Sequence, residues 1–66
     1  MVITVNGEQK EVSSGLCVEA YLQELGLNLE TVVVECDGTI LQRDEYRTHI
    51  LQEGAILELI RFIGGG

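Results

Sequence analysis

The chain has 66 residues, of which 45% are apolar, and 11 acidic against 4 basic residues give a formal net charge of −7. A chain of this length forms one domain at most and buries only about 60% of the surface that its unfolded form exposes, so a deep catalytic cleft is not expected. The negative charge would repel a phosphate backbone, so we do not expect nucleic acid as a partner. No apolar stretch approaches the ~18 residues that cross a membrane, so we expect a soluble globular protein without a membrane partner.

The beginning of the chain carries no recognisable targeting signal. Met1 leads directly into the alternating segment Val2-Ile3-Thr4-Val5, without the basic run or the small-residue cleavage site of a secretory signal. We therefore expect a cytoplasmic protein.

Three side chains are the usual candidates for a disulfide or a metal site: Cys17, Cys36 and His49. Two thiols in a chain without a secretion signal are weak grounds for a disulfide. A metal site needs more ligands, and His49 stands apart from any CxxC or HxxxH spacing. The sequence therefore predicts two partly buried cysteines, a surface imidazole, and neither a bound metal nor a bound cofactor.

The first part of the chain predicts a hairpin followed by a helix. Residues 1–5 alternate, Asn6-Gly7 suits a two-residue type I′ turn, and residues 8–12 form the returning strand. Gly26 suits the left-handed residue that ends a helix. Before it, the apolar positions have the spacing of one helix face, and because a single helix must cover the sheet, we expect this face to point at the core. Its residues are Val18, Tyr21, Leu22 and Leu25.

A second hairpin is predicted from Val32 to Leu41, with Asp37-Gly38 as its turn. Residues 42–50 show no clean period and predict an irregular connection held in place by Tyr46 and Ile50.

The last strand is predicted from Ala55 to Ile63, after a turn at Glu53-Gly54. Two hairpins that flank one helix, closed by an apolar strand, describe an α+β domain with a mixed sheet of four to five strands covered by one helix. Placing the two terminal strands side by side, parallel and central buries both of them, and this is the ubiquitin-like β-grasp arrangement. We expect this domain to span residues 1–63 and to be followed by a flexible glycine tail, residues 64–66.

Alternation along the last strand predicts which side chains are exposed. If Glu58 faces water, Leu57 and Leu59 point at the helix. Arg61 would point inward by the same rule, but a buried unpaired guanidinium is costly, so we expect the strand to leave the core there. The residues then available to dock a partner are Ile56, Ile60, Arg61 and Phe62. The alternative is that the connection 42–50 folds over this apolar group.

The chain ends in Gly64-Gly65-Gly66, and a tail without side chains can enter a narrow channel. Three extended residues reach roughly 10 Å. The group carried into such a channel would be the Gly66 carboxylate, which is a poor electrophile and must first be activated. A partner would have to supply that activation, because the chain has no GxxxxGK[ST] phosphate loop of its own.

These segments together resemble the sulfur carriers of thiamine biosynthesis, the ThiS family. The resemblance covers essentially the whole chain, and the residues that carry it are Asn6-Gly7-Glu8, Val18, Leu22, Leu25, Gly26, the run from Val34 to Gly38, Arg43, Glu53-Gly54 and the ending from Arg61 to Gly66. Two positions depart from the family pattern. Cys17 stands where the helix start more often has Thr or Ser, and Gln42 stands where a proline usually precedes Arg43.

The resemblance implies a carrier with no active site of its own. A ThiF-like adenylating enzyme would use ATP to convert the Gly66 carboxylate to an acyl-adenylate, with Gly64 and Gly65 in the enzyme's active site. Sulfur from a donor protein would displace AMP, and the thiocarboxylate would deliver it to a ThiG-like thiazole synthase.

Two other functions remain open from the sequence. A molybdopterin-synthase small subunit, or another ubiquitin-like sulfur carrier or modifier, would keep the chemistry and change the recipient. A β-grasp interaction module would use the apolar patch alone and carry out no sulfur chemistry.

Overall fold

The computed structural model describes residues 1–61. Its elements are β1 (Val2–Val5), β2 (Glu8–Glu11), α1 (Val18–Glu24), β3 (Val32–Cys36), β4 (Thr39–Ile40), a 3-10 helix (Arg43–Glu45) and β5 (Ile56–Arg61). Phe62, the predicted strand end at Ile63 and the glycine tail lie outside the described residues. The predicted boundary between domain and tail therefore stays a prediction.

All five strands form one mixed sheet in the order β2-β1-β5-β3-β4. The two terminal strands, β1 and β5, are neighbours and parallel, whereas the other pairs are antiparallel. Only one helix covers the sheet in the part of the chain described. The predicted α+β β-grasp arrangement, with both terminal strands inside the sheet, is confirmed.

Both predicted hairpin turns are present. Asn6 and Gly7 have φ angles of 50° and 84°, and Asp37 and Gly38 have φ angles of 50° and 86°. Positive φ at both central residues is the requirement of a type I′ turn, whose twist matches that of the strands it joins. These two dipeptides therefore set the register of β1 with β2 and of β3 with β4.

The helix packs against the sheet through Val18, Tyr21 and Leu22, as predicted. The prediction for Leu25 is wrong, because this side chain is 45% exposed. The helix ends at Glu24, and the chain then turns through Gly26, with the Leu27 amide donating to the Leu22 carbonyl at 3.0 Å. Leu25 is the C-cap residue, and after this Schellman turn it is Leu27 that packs against the core.

Among residues 1–61, no buried polar side chain lacks a hydrogen-bond partner. The hydrophobic core lies between α1 and the sheet. Its fully buried large side chains are Ile3, Val18, Leu22, Val32, Val34, Leu51 and Leu57.

The connection between β4 and β5 is held by Tyr46, as predicted, but not by Ile50. Tyr46 is buried, and its hydroxyl donates a 2.9 Å hydrogen bond to the Val32 carbonyl. Ile50 is 42% exposed, whereas Leu51 is 2% exposed. Ile50 pairs with Cys17 in an extended bridge, and in extended backbone the next side chain points the opposite way, so Leu51 enters the core.

The same connection is less irregular than predicted, because it contains the 3-10 helix. The Gln42 amide donates a 2.6 Å hydrogen bond to Glu45 Oε1 at its start, a bond that a proline at position 42 could not make. The Arg43 guanidinium donates to the carbonyls of Leu29 and Glu30 at 3.1 and 2.9 Å. These bonds attach the connection to the loop that follows α1.

Leu51→Ala should lower the free energy of unfolding by about 2–5 kcal/mol, because it leaves a cavity in the core. Ile50→Ala removes the same kind of side chain one residue away and should cost less than about 1 kcal/mol. Urea unfolding of both variants measures the difference. Equal losses would contradict the assignment of Leu51 as the residue that anchors the connection.

Candidate functional site

The last strand carries all three of the predicted docking residues that the structure describes, Ile56, Ile60 and Arg61. Leu57 is fully buried and Leu59 is half-buried against the core, whereas Ile56, Glu58 and Ile60 are exposed on the opposite side. The predicted alternation is confirmed. We call the side of the sheet that α1 does not cover the open face.

The strand register shows which other side chains share the open face. Thr4 lies opposite Ile56, and Val33 lies opposite Ile60. Glu35 lies opposite both Glu58 and Ile40. The connection 42–50 does not cover this face, because Ile40, Ile56 and Ile60 are 58%, 54% and 50% exposed. The open face therefore presents three isoleucines to solvent, two of them on β5 and one on β4.

Arg61 is exposed, as expected, but it does not lie with Ile56 and Ile60. It lines a groove on the helix side of the sheet together with Leu59, Tyr21 and Lys10. The predicted docking set is thus divided between two surfaces. Phe62, Gly64, Gly65 and Gly66 lie outside the described residues, so the use of these residues by a partner stays a prediction.

Two turn side chains bind the last strand from its two sides. Asn6 Oδ1 accepts from the Leu59 amide at 2.7 Å, and Asn6 Nδ2 donates to the Leu59 carbonyl at 3.3 Å. Asp37 Oδ1 accepts from the Ile56 amide at 2.9 Å, while the Asp37 amide donates to the Ile56 carbonyl at 2.8 Å. Each residue therefore caps one end of the β5 ladder while it also forms a hairpin turn.

Sequence reasoning missed this second role of Asn6 and Asp37. Both were assigned only to turns, because Asn-Gly and Asp-Gly pairs are explained fully by their backbone angles. The available signal was the choice of side chain: the amide and the carboxylate can hydrogen-bond a backbone that glycine could not. Nothing in the local sequence says which distant strand receives the bond.

The sequence predicted His49 as a surface imidazole that stands apart from the cysteines, but the structure places it next to Cys36. It is half-buried, and its Nε2 lies 3.6 Å from Cys36 Sγ. Burial first, and then the neighbouring Asp37 carboxylate, raise the pKa of the Cys36 thiol. The thiolate is the reactive form of cysteine, so this thiol is poorly suited to act as a nucleophile.

Cys17 has a structural role at the start of the helix. Its Sγ accepts a 3.4 Å hydrogen bond from the Ala20 amide, in the position of an N-cap. No group of three or more His, Cys, Asp or Glu side chains among residues 1–61 is arranged to hold a metal ion. Within the same residues, no helix is long and apolar enough to cross a membrane.

A family model described as the ThiS family matches residues 3–66. The chain is a member of the ThiS family. Two curated relatives of this ThiS-family chain are named thiazole synthase. One is from Paramagnetospirillum magneticum (strain ATCC 700264 / AMB-1), and the other is from Magnetococcus marinus (strain ATCC BAA-1437 / JCM 17883 / MC-1). Both are 38% identical over 66 residues, which is 100% of this chain and 20% of theirs. The chain thus spans about a fifth of the length of the curated relatives it matches.

Solved structures of the family have the same fold. The crystal structure of the thiamine biosynthesis protein ThiS from Geobacter metallireducens superposes with a TM-score of 0.85 at 33% identity, covering 100% of both chains. A solution structure of a thiamine biosynthesis protein from the same organism gives a TM-score of 0.83 at 33% identity, covering 100% of this chain and 88% of the other. The resemblance found in the sequence is therefore confirmed across the whole domain.

Asn6→Gly should keep the turn, because glycine accepts the positive φ, but should release the Leu59 amide from its side-chain acceptor. We expect native-state hydrogen exchange at Leu59 to become on the order of 10-fold faster, as for the loss of one hydrogen bond. The matched variant Asp37→Gly should accelerate exchange at Ile56 and leave Leu59 unchanged. Equal acceleration of both amides in both variants would contradict two separate caps.

Proposed function

We propose that the chain is a sulfur carrier of thiamine biosynthesis. The observation that carries the proposal is the ThiS-family match, which continues through the glycine ending to Gly66. The names of the relatives support the same pathway: the Geobacter protein is a thiamine biosynthesis protein, and the two longer relatives are thiazole synthases. The exposed isoleucines of the open face support the proposal that the chain acts by binding other proteins.

The proposed chemistry takes place on the Gly66 carboxylate. Its oxygen attacks the α-phosphorus of ATP, pyrophosphate leaves, and an acyl-adenylate forms. A hydrosulfide equivalent then attacks the carbonyl carbon, the bond to the AMP oxygen breaks, and a thiocarboxylate remains. An acyl-adenylate is needed because the carboxylate itself has no good leaving group. In this proposal the partner enzyme, and not this chain, binds the ATP.

The described residues have a supporting role in this proposal. Strand β5 leads directly to the tail, and the five residues from 62 to 66 can span at most about 18 Å from Arg61. An enzyme that receives Gly66 must therefore contact the domain near the end of β5. Ile56 and Ile60 are the exposed apolar groups available to it on the open face, with Arg61 on the opposite side and Phe62 next in the chain.

We infer three protein partners: a ThiF-like adenylating enzyme, a sulfur donor protein and a ThiG-like thiazole synthase. The names of the two longer relatives favour thiazole synthase over molybdopterin synthase as the recipient. The carrier is a cosubstrate of these enzymes and has no catalytic site of its own. A cytoplasmic location remains part of the proposal.

Removal of Gly66, or the addition of one residue after it, should abolish thiocarboxylate formation, because the reacting carboxylate is then missing or misplaced. The assay incubates the carrier with the adenylating enzyme, ATP and sulfide, and intact mass spectrometry detects the exchange of one oxygen for sulfur. Fragmentation should map the exchange to the C-terminal peptide.

The midpoint of urea unfolding should be unchanged in both tail variants, which separates lost chemistry from lost folding. A variant that still gains sulfur would contradict the assignment of the Gly66 carboxylate. A wild-type chain that gains no sulfur under these conditions would contradict the carrier function.

Ile60→Asp should weaken activation by the adenylating enzyme about 10-fold or more in kcat/KM, because it places a charge in an apolar contact. Its thermal stability should change little, since the side chain is already half exposed. Ile50→Asp is the matched control, because Ile50 is a similarly exposed isoleucine outside the sheet. Equal effects of the two variants on kcat/KM would contradict docking through the open face.

A further inference from the structure

The open face carries charge of one sign only. The charged side chains that the register of the described strands places on it are Glu11, Glu35 and Glu58. The four basic residues of the chain all lie elsewhere. Lys10 and Arg61 line the groove on the helix side, and Arg43 and Arg47 line a second groove beside α1.

Glu35 and Glu58 lie directly opposite each other on neighbouring strands. Like charges in this position destabilise a sheet. In the described part of the chain the ion pairs are Lys10–Glu8 and Arg43–Glu30, so neither of the two carboxylates has a cation beside it. The free chain thus keeps an unfavourable pair of charges at the middle of an exposed face.

Apolar side chains surround this carboxylate pair. Ile56 and Ile60 precede and follow Glu58 on the same side of β5, and Ile40 lies opposite Glu35. A surface that covers the isoleucines must therefore also remove both carboxylates from water. A purely apolar surface could not compensate for that desolvation, whereas a cation placed between the carboxylates could.

We propose that the open face recognises a protein surface that presents an arginine or lysine to Glu35 and Glu58 and apolar side chains to the isoleucines around them. We assign that surface to the adenylating enzyme, so the inference rests on the proposed function. A guanidinium suits the site best, because its planar donors can bond two carboxylates at once. A second copy of this chain does not suit it, since its own open face would bring more carboxylates to the contact.

The first test compares two charge reversals with the same change in net charge. Glu58→Lys should raise the KM for the carrier in the activation assay on the order of 100-fold at low salt, with kcat retained, because a buried charge pair becomes a repulsion. Glu24→Lys, at the exposed end of α1, should raise the KM less than about threefold. Equal effects would overturn the inference, because net charge alone would explain them.

The second test removes both charges without reversing them. The double variant Glu35→Gln, Glu58→Gln should raise the KM about 10-fold and flatten its dependence on salt. Its melting temperature should be equal to or higher than that of the wild type, because the cross-strand repulsion is gone. An unchanged or lower KM would overturn the inference.

Two further outcomes separate this inference from the proposed function. If the wild type is activated and the glutamate variants behave like it, only the recognition of a cation is wrong. If the wild type is not activated at all, the carrier function and its partner fail together. A wild type that sediments as a dimer, and whose dimer is broken by Ile60→Asp, would assign the open face to a second copy and overturn the inference.

Discussion

The structure depends on the insertion of β5 between β1 and β3. This strand pairs in parallel with one neighbour and antiparallel with the other, and a turn side chain caps the ladder on each side, Asn6 at Leu59 and Asp37 at Ile56. Without β5 the sheet would divide into two separate hairpins, and the core residues of β1 and β3 would have no common layer to pack into. The last segment of the chain therefore completes the fold and also leads to the group that we propose as its chemical site.

The central position of β5 also supports the proposed docking of a partner on the open face. The helix covers one side of the sheet, so the exposed apolar side chains of β5, Ile56 and Ile60, lie on the other side. Three isoleucines and a pair of opposed carboxylates meet there, a few residues from the tail. In the proposed cycle, a partner that binds this face would hold the strand that precedes residues 62–66, so binding of the domain and placement of the Gly66 carboxylate would become one event.

Local patterns in the sequence predicted what depends on neighbouring residues. The two hairpins follow from turn chemistry, and the central place of the terminal strands follows from their apolar character, so the topology could be predicted. The exposure of Ile56 and Ile60 follows from the alternation along β5. Leu25 was misplaced because the spacing of a stripe does not show how far along the helix the core extends, and Leu25 is the C-cap residue. Ile50 was chosen over Leu51 because an aperiodic segment does not show which side chains point inward. The bond from Asn6 to Leu59 joins residues 53 positions apart, a separation over which no local pattern carries information.

The two caps on β5 have a mechanical consequence. If an enzyme draws the chain end into a channel, as proposed, the pull would act along β5, and the hydrogen-bond ladders on both sides of this strand would resist it in shear. In that geometry several backbone hydrogen bonds share the load, whereas an edge strand peeled from a sheet would lose its bonds one after another. A chain with the proposed carrier function would therefore keep its own domain folded while an enzyme holds its terminus.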